Sequence, residues 1–453
     1  MKQKIFRNTF TMFFLVGCFI LSLKASDQIP APKQDHPIAL VGGTIHTVSG
    51  ETIENGAVLF VDGKITALGQ NVDLPEGTEE IDVQGKHVYP GLIAANTALG
   101  LVEIGAVRAS RDYAELGDIK PNVRAEAAIN PDSELFPVTR ANGITLTLSV
   151  PSGGLISGTS ALIMLDGWTW EDMTLKAPAG LHVRWPRMVA GGRSRFFRQS
   201  ASDLLKRRDE SLQKIQDAFA EARAYLKTKE AEMSNKGTPY HATDLRWEAM
   251  IPVLKKQAPV FIHADEILQI QASVNWATQE DVNMVLVGGR DAWRITELLK
   301  AKNIPVIIGG VLTTPMRRWE AYDTPYKNAL RLHEAGVSFC IGFSFEAAHA
   351  RNLPYHAAMA AAYGLPKEEA LKAVTLYPAQ ILGVADRVGS LEVGKDATLI
   401  VTNGDPLEIM TRVEQEFIQG RKIDLTSRHT QLYEKYKSKY ERLAKEKMEI
   451  SRK

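Results

Sequence analysis

The run Val260-Phe261-Ile262-His263-Ala264-Asp265-Glu266 closes an apolar stretch with one imidazole and two carboxylates. Such groups move protons near neutral pH or hold a polar ligand. His263 is the candidate acid/base, and Asp265 and Glu266 are candidate catalytic partners that orient it or bind substrate. A histidine hydrogen-bonded within a polar network is the structural alternative. A second concentration of charge comprises Glu103, Arg108, Arg111, Asp112, Glu115 and Asp118. It fits an ion-paired lid or, more sharply, a ligand site in which Arg108 or Arg111 grips a carboxylate through a bidentate fork. Pro151-Ser152-Gly153-Gly154 and the hydroxyls after it would let backbone N–H groups approach an anion. No lysine follows Gly158, so a tight loop is expected rather than a nucleotide cradle. His349 is a further substrate-binding candidate, whereas His356 reads as the structural start of a helix. Cys340, inside the apolar run 337–341, reads as a buried, inert thiol. No Ser-His-Asp arrangement can be assembled from spacing.

Positioning these groups requires a scaffold, and two textures alternate along the chain. Short strands with turn signals occupy the region after a Pro-rich linker, and Asp62-Gly63 supplies a tight hairpin turn. The same texture returns only near the other end, which implies one small β module built from both termini. The middle alternates apolar strands with helical patterns; candidate strands are 144–150, 260–262, 284–287, 306–308 and 337–341. Leu212, Ile215, Phe219, Ala222 and Leu226 recur at helical steps, so an amphipathic helix lies between two of the strands. Length and alternation together point to an α/β protein: a (β/α)8 TIM-like barrel with a small composite β-sandwich domain.

At 453 residues a barrel plus a smaller module fits, and a net charge of +1 argues against a general nucleic-acid-binding surface. Lys2, Lys4 and Arg7 precede an apolar run over 10–23 that is too short to span a membrane, so a Sec signal peptide cleaved after Ala25 is expected. The protein would then be periplasmic or secreted. The rival is a lipoprotein anchored at Cys18. Without residues 1–25 only Cys340 remains, which precludes an intramolecular disulfide. In the last stretch Leu432, Tyr436, Tyr440 and Leu443 recur at helical spacing among lysines and glutamates, which predicts a surface helix packed through that stripe. A membrane or partner contact through this basic tail is the alternative.

Several phrases together resemble the amidohydrolase superfamily, particularly its imidazolonepropionase-like branch. They are GKHVYPGLI where the barrel would begin, FIHADE in the middle, ALKAVTLYPAQILGV before the return, and GSLEVGKDATLIV followed by GDPLE. The resemblance spans roughly residues 38–425 and divides them into a β domain in two parts (38–89 and 388–425) and a barrel (90–387); the residues themselves give a signal peptide (1–25), a linker (26–37) and a basic helical tail (426–453). It implies hydrolysis of carbon–nitrogen bonds by a water bound to one or two divalent metals such as zinc. The metal ligands would be two histidines after strand 1, further ones after strands 5 and 6, and an aspartate after strand 8. Here those positions fall on Asn96 and Ala98, His263, Gly288-Gly289 and Ser344. After strand 4, His182 and Arg184 are available, and neither is a standard bridging ligand. One imidazole, one amide and one hydroxyl do not make a zinc site, which needs about three good donors.

The resemblance therefore implies a hydrolase of carbon–nitrogen (non-peptide) bonds in a small molecule, with a diverged site and no resident metal or other cofactor. Asn96, Ser344 and His349 join Arg108 and Arg111 as substrate-binding candidates. The alternatives are a non-catalytic small-molecule-binding protein and a structural partner of an active paralogue. A homo-oligomer or a paralogous amidohydrolase is the expected protein partner.

Overall fold

Side-chain alternation along short strands builds two eight-stranded sheets in the computed structural model, which describes residues 28–189, 200–234, 239–343 and 345–451. The segment expected as a signal peptide, with Cys18, and Ser344 lie outside the described residues.

The first sheet is composite, as the two β-textured ends require. It contains β1 (Ile38–His46), β2 (Thr52–Val61), β3 (Lys64–Gly69), β4 (Glu79–Asp82) and β5 (His87–Pro90). From the far end of the chain come β14 (Leu399–Thr402), β15 (Val413–Ile418) and β16 (Arg421–Lys422). The order is β16-β15-β14-β5-β1-β2-β3, with β4 on β1. Asp62 and Gly63 take φ of 50° and 77° between paired Val61 and Lys64, the positive angles of a hairpin turn. Leu40, Val58, Phe60, Leu399 and Phe417 fill its core, so residues over 300 positions apart are buried together.

The second sheet is the barrel: β6 (Leu92–Thr97), β7 (Ile144–Ser149), β8 (Ile156–Met164), β9 (Thr174–Arg184), β10 (Val260–Ala264), β11 (Met284–Gly288), β12 (Val306–Ile308) and β13 (Phe339–Ile341). They pair in sequence order, and the ring closes where Phe343 N–H donates to Ala95 (3.1 Å) and Ala98 N–H to Phe345 (3.0 Å). Residues two apart share a face. Ile93, Leu146, Phe261, Val287, Ile307 and Cys340 point inward, while Leu92, Val260 and Ile262 pack outward against helices. One of these helices, Ala201–Ser234, buries Ile215, Phe219 and Ala222 as its periodicity predicts.

Two expectations need correction. The Gly/Ser-rich stretch taken for a mouth loop is mostly β8, which runs antiparallel to both β7 and β9. Two hairpin connections thus replace crossover helices there. Its loop-like composition has a packing cause: a Cβ on Gly158 would lie 2.4 Å from the Val123 carbonyl oxygen. The tail does form a helix, Arg428–Ser451, but its stripe is not packed: Tyr436 is 49% and Tyr440 64% exposed.

A buried charge cluster ties module to barrel. Asp166 pairs with Arg140 and with Arg421, each at 2.9 Å. Beside them Glu416 is fully buried, and neither carboxyl oxygen has a hydrogen-bond partner. Burial raises its pKa well above the usual value, against the pull of Arg140. A raised carboxyl pKa stabilises the fold below the unfolded pKa and loses that contribution as pH rises towards the folded one. Glu416→Gln should therefore melt higher than wild type at pH 8. In equilibrium denaturation that gap should close towards pH 4.5, by up to about 1.4 kcal/mol per pH unit.

Candidate active site at the barrel mouth

Parallel pairing of β9 with β10 sets His263 beside Arg184 and Phe261 beside His182. With a period of two, His182 and Arg184 share the inner face of β9, and Phe261 and His263 that of β10. The result is a direct bond between imidazoles: His182 Nδ1 and His263 Nε2 are 2.9 Å apart. One nitrogen donates and the other accepts, so the bond lasts while at least one of the two facing nitrogens is unprotonated. His182 also stacks on Phe261, with centroids 4.8 Å apart and planes 15° from parallel. Burial, reinforced by the Arg184 charge, holds both imidazoles well below their ordinary pKa. Both are neutral at pH 7.

Arg184, the last residue of β9, reaches over Phe345 with Cζ 5.7 Å from the ring centroid. Its Nε and Nη2 are buried without hydrogen-bond partners. Phe345 in turn meets Tyr113 edge-on at 5.6 Å. Nearby Lys120 is buried and donates from Nζ to the Glu115 carbonyl at 2.6 Å; burial depresses its pKa, and Arg184 pushes the same way. A positive, largely dry corner thus surrounds a neutral histidine pair.

The residues predicted from sequence scatter around this corner. Only His263 stands in it. Asn96 is buried in a left-handed conformation (φ 72°) and donates from Nδ2 to the Phe343 carbonyl at 3.0 Å, so it latches the closure of the ring. Asp265 turns towards β11 and accepts from the Arg290 N–H at 3.4 Å, with burial raising its pKa. Glu266 accepts from Arg187 at 2.6 Å and stands just before the helix Ile267–Gln279. His349 is exposed and pairs with Glu346 at 2.9 Å, and Arg108 and Arg111 are exposed as well. Among the described residues, none of these side chains bonds to the histidine pair. His356 is structural, as expected: its Nδ1 accepts from Val311 N–H (2.9 Å) and Leu312 N–H (3.2 Å), and burial lowers its pKa to about 4. Sequence reasoning considered His182 and Arg184 only as metal ligands and set them aside. Their signal was the alternation Leu181-His182-Val183-Arg184, polar side chains on every second position of an otherwise apolar strand.

Comparison with known proteins places the scaffold. The Amidohydrolase family profile matches residues 218–423. An amidohydrolase from Thermotoga maritima superposes with a TM-score of 0.75 at 28% identity, covering 85% of this chain and 99% of that one. The chain is a member of the amidohydrolase superfamily. It is 24% identical to an imidazolonepropionase from Caldanaerobacter subterraneus over 80% of its own length and 86% of the relative's. It is also 22% identical to amidohydrolase tasK of Hapsidospora irregularis, of whose length it spans 39%.

The family's divalent metal does not fit the donors this amidohydrolase presents. No three His, Cys, Asp or Glu side chains converge on a metal-sized site among the described residues. The two available imidazoles bond to each other, beside a permanent cation that repels a second one. At the strand-6 position, a Cβ on Gly288 would lie 2.6 Å from Asp265 Oδ1, so the carboxylate fills the space a side chain there would need.

The depressed imidazole pKa values have a measurable sign. Their contribution to stability is complete above the unfolded pKa, near 6.5, and is lost as pH falls from there towards the folded value. Wild type should lose up to about 1.4 kcal/mol per pH unit below that point for each imidazole. Urea denaturation of His182→Gln should show a shallower loss between pH 6.5 and 5; an unchanged slope would contradict the buried neutral pair.

Proposed function

We propose that this amidohydrolase acts on a carbon–nitrogen, non-peptide bond of a small molecule, at a mouth that works without the standard metal centre. The observation that carries the reading is the 2.9 Å bond between His182 and His263 at the C-terminal ends of the barrel strands, the end that faces ligands in barrels of this kind. Neutral His263 takes a proton from the attacking water and returns it to the leaving nitrogen, as the water oxygen bonds to carbon and the C–N bond breaks. His182 positions it through the shared proton. The relatives support the reaction class, since two of the curated matches are named as an amidohydrolase and an imidazolonepropionase.

The second reading is a binding protein that keeps the pocket without turnover. The same depressed pKa values favour it, because an imidazole so reluctant to take a proton is a weak base.

A screen of purified protein over small amides and lactams, with and without a chelator, separates the two. Hydrolysis should survive chelation and fall roughly 100-fold or more in His263→Ala. Thermal stabilisation by a small molecule without turnover would replace the hydrolase with the binding module. Stoichiometric zinc, manganese or iron lost in His263→Ala would contradict both.

A further inference from the structure

Burying a guanidinium without hydrogen-bond partners is expensive, and proteins seldom leave one so. Arg184 is such a group. The two nitrogens without partners, Nε and Nη2, form the same edge of the guanidinium, the side-on fork that matches the two oxygens of a carboxylate. Among the described residues no carboxylate faces it, and its ring contact with Phe345 leaves that edge free. The surroundings add positive charge: Lys120 is buried close by with its ammonium on a backbone carbonyl, and the histidine pair is neutral. The Glu115 and Asp118 carboxylates act on Lys120, whereas burial alone perturbs Arg184. Two other charged networks in the barrel show the contrast. Arg140 is buried against Asp166, and Arg317 is clamped between Asp291 and Glu320 at 2.6 Å each. Of these three arginines, the one beside the histidine pair lacks its anion.

We propose that Arg184 is the anchor for a carboxylate of the small-molecule ligand, held side-on by Nε and Nη2 so that the rest of the molecule lies against His263. The inference rests on the barrel mouth being the ligand site, and it names the chemical class of what binds there.

Isothermal titration and thermal melting of the full chain test this with acetate, succinate and N-acetylglycine as probes. Inorganic phosphate, acetamide and the methyl ester of N-acetylglycine are the comparisons. The carboxylates should bind wild type and raise its melting temperature, and the neutral probes should do neither. Arg184→Met should weaken the carboxylates roughly tenfold or more, and Arg184→Lys, which keeps the charge and loses the fork, should fall between. Without probe, Arg184→Met should melt no lower than wild type, because a buried unpaired charge has been removed. Carboxylates that bind Arg184→Met as tightly as wild type, or phosphate binding with no carboxylate binding, would overturn the assignment. Turnover distinguishes this proposal from the reaction class. Carboxylate binding without hydrolysis of any amide upholds the anchor and removes the hydrolase. Hydrolysis of neutral amides that Arg184→Met leaves intact removes the anchor and upholds the hydrolase.

Discussion

The pairing register of β9 on β10 is the constraint on which the site depends. It sets Arg184 opposite His263 and His182 opposite Phe261, so three polar side chains meet inside a barrel otherwise filled with aliphatic ones. A slip of one residue would turn all of them outward against helices. The aliphatic layer beneath, with Phe261 stacked on His182, resists such a slip because every inward position is already filled.

Charge placement follows from that register. A barrel interior tolerates few ions, and here the titratable pair stays neutral while the arginine carries the charge. Two positions at which the resemblance would place metal ligands take part in packing here. Asn96 closes the ring through a backbone carbonyl, and Gly288 leaves room for the Asp265 carboxylate. Asn96 Oδ1 is nevertheless buried without a hydrogen-bond partner, so the packing there is not fully satisfied.

Much of the scaffold was legible in the residues. Alternating apolar strands, the Asp62-Gly63 turn and the amphipathic helix around Phe219 report local geometry, and the structure contains all three. Strand β8 was not legible, because its glycine and hydroxyls answer to the close approach of Val123 rather than to strand propensity. The exposed tyrosine stripe of the last helix misled for the opposite reason: periodicity shows that a face is apolar, not that anything covers it. Of the site, His263 could be picked out from its strand end. His182 and Arg184 could not be joined to it, since their meeting depends on a pairing between segments some 80 residues apart in sequence.

The central claim is that two neutral imidazoles share one proton beside an uncompensated guanidinium. Its most direct test is a pH titration of histidine ring nitrogens by 15N NMR, with His182 and His263 assigned from single-substitution spectra. The account predicts that both rings keep neutral-imidazole shifts from pH 8 to below pH 6, with one proton in the hydrogen bond between them. Titration of either ring near its ordinary value of about 6.5, or shifts showing a ring nitrogen bound to metal, would contradict it.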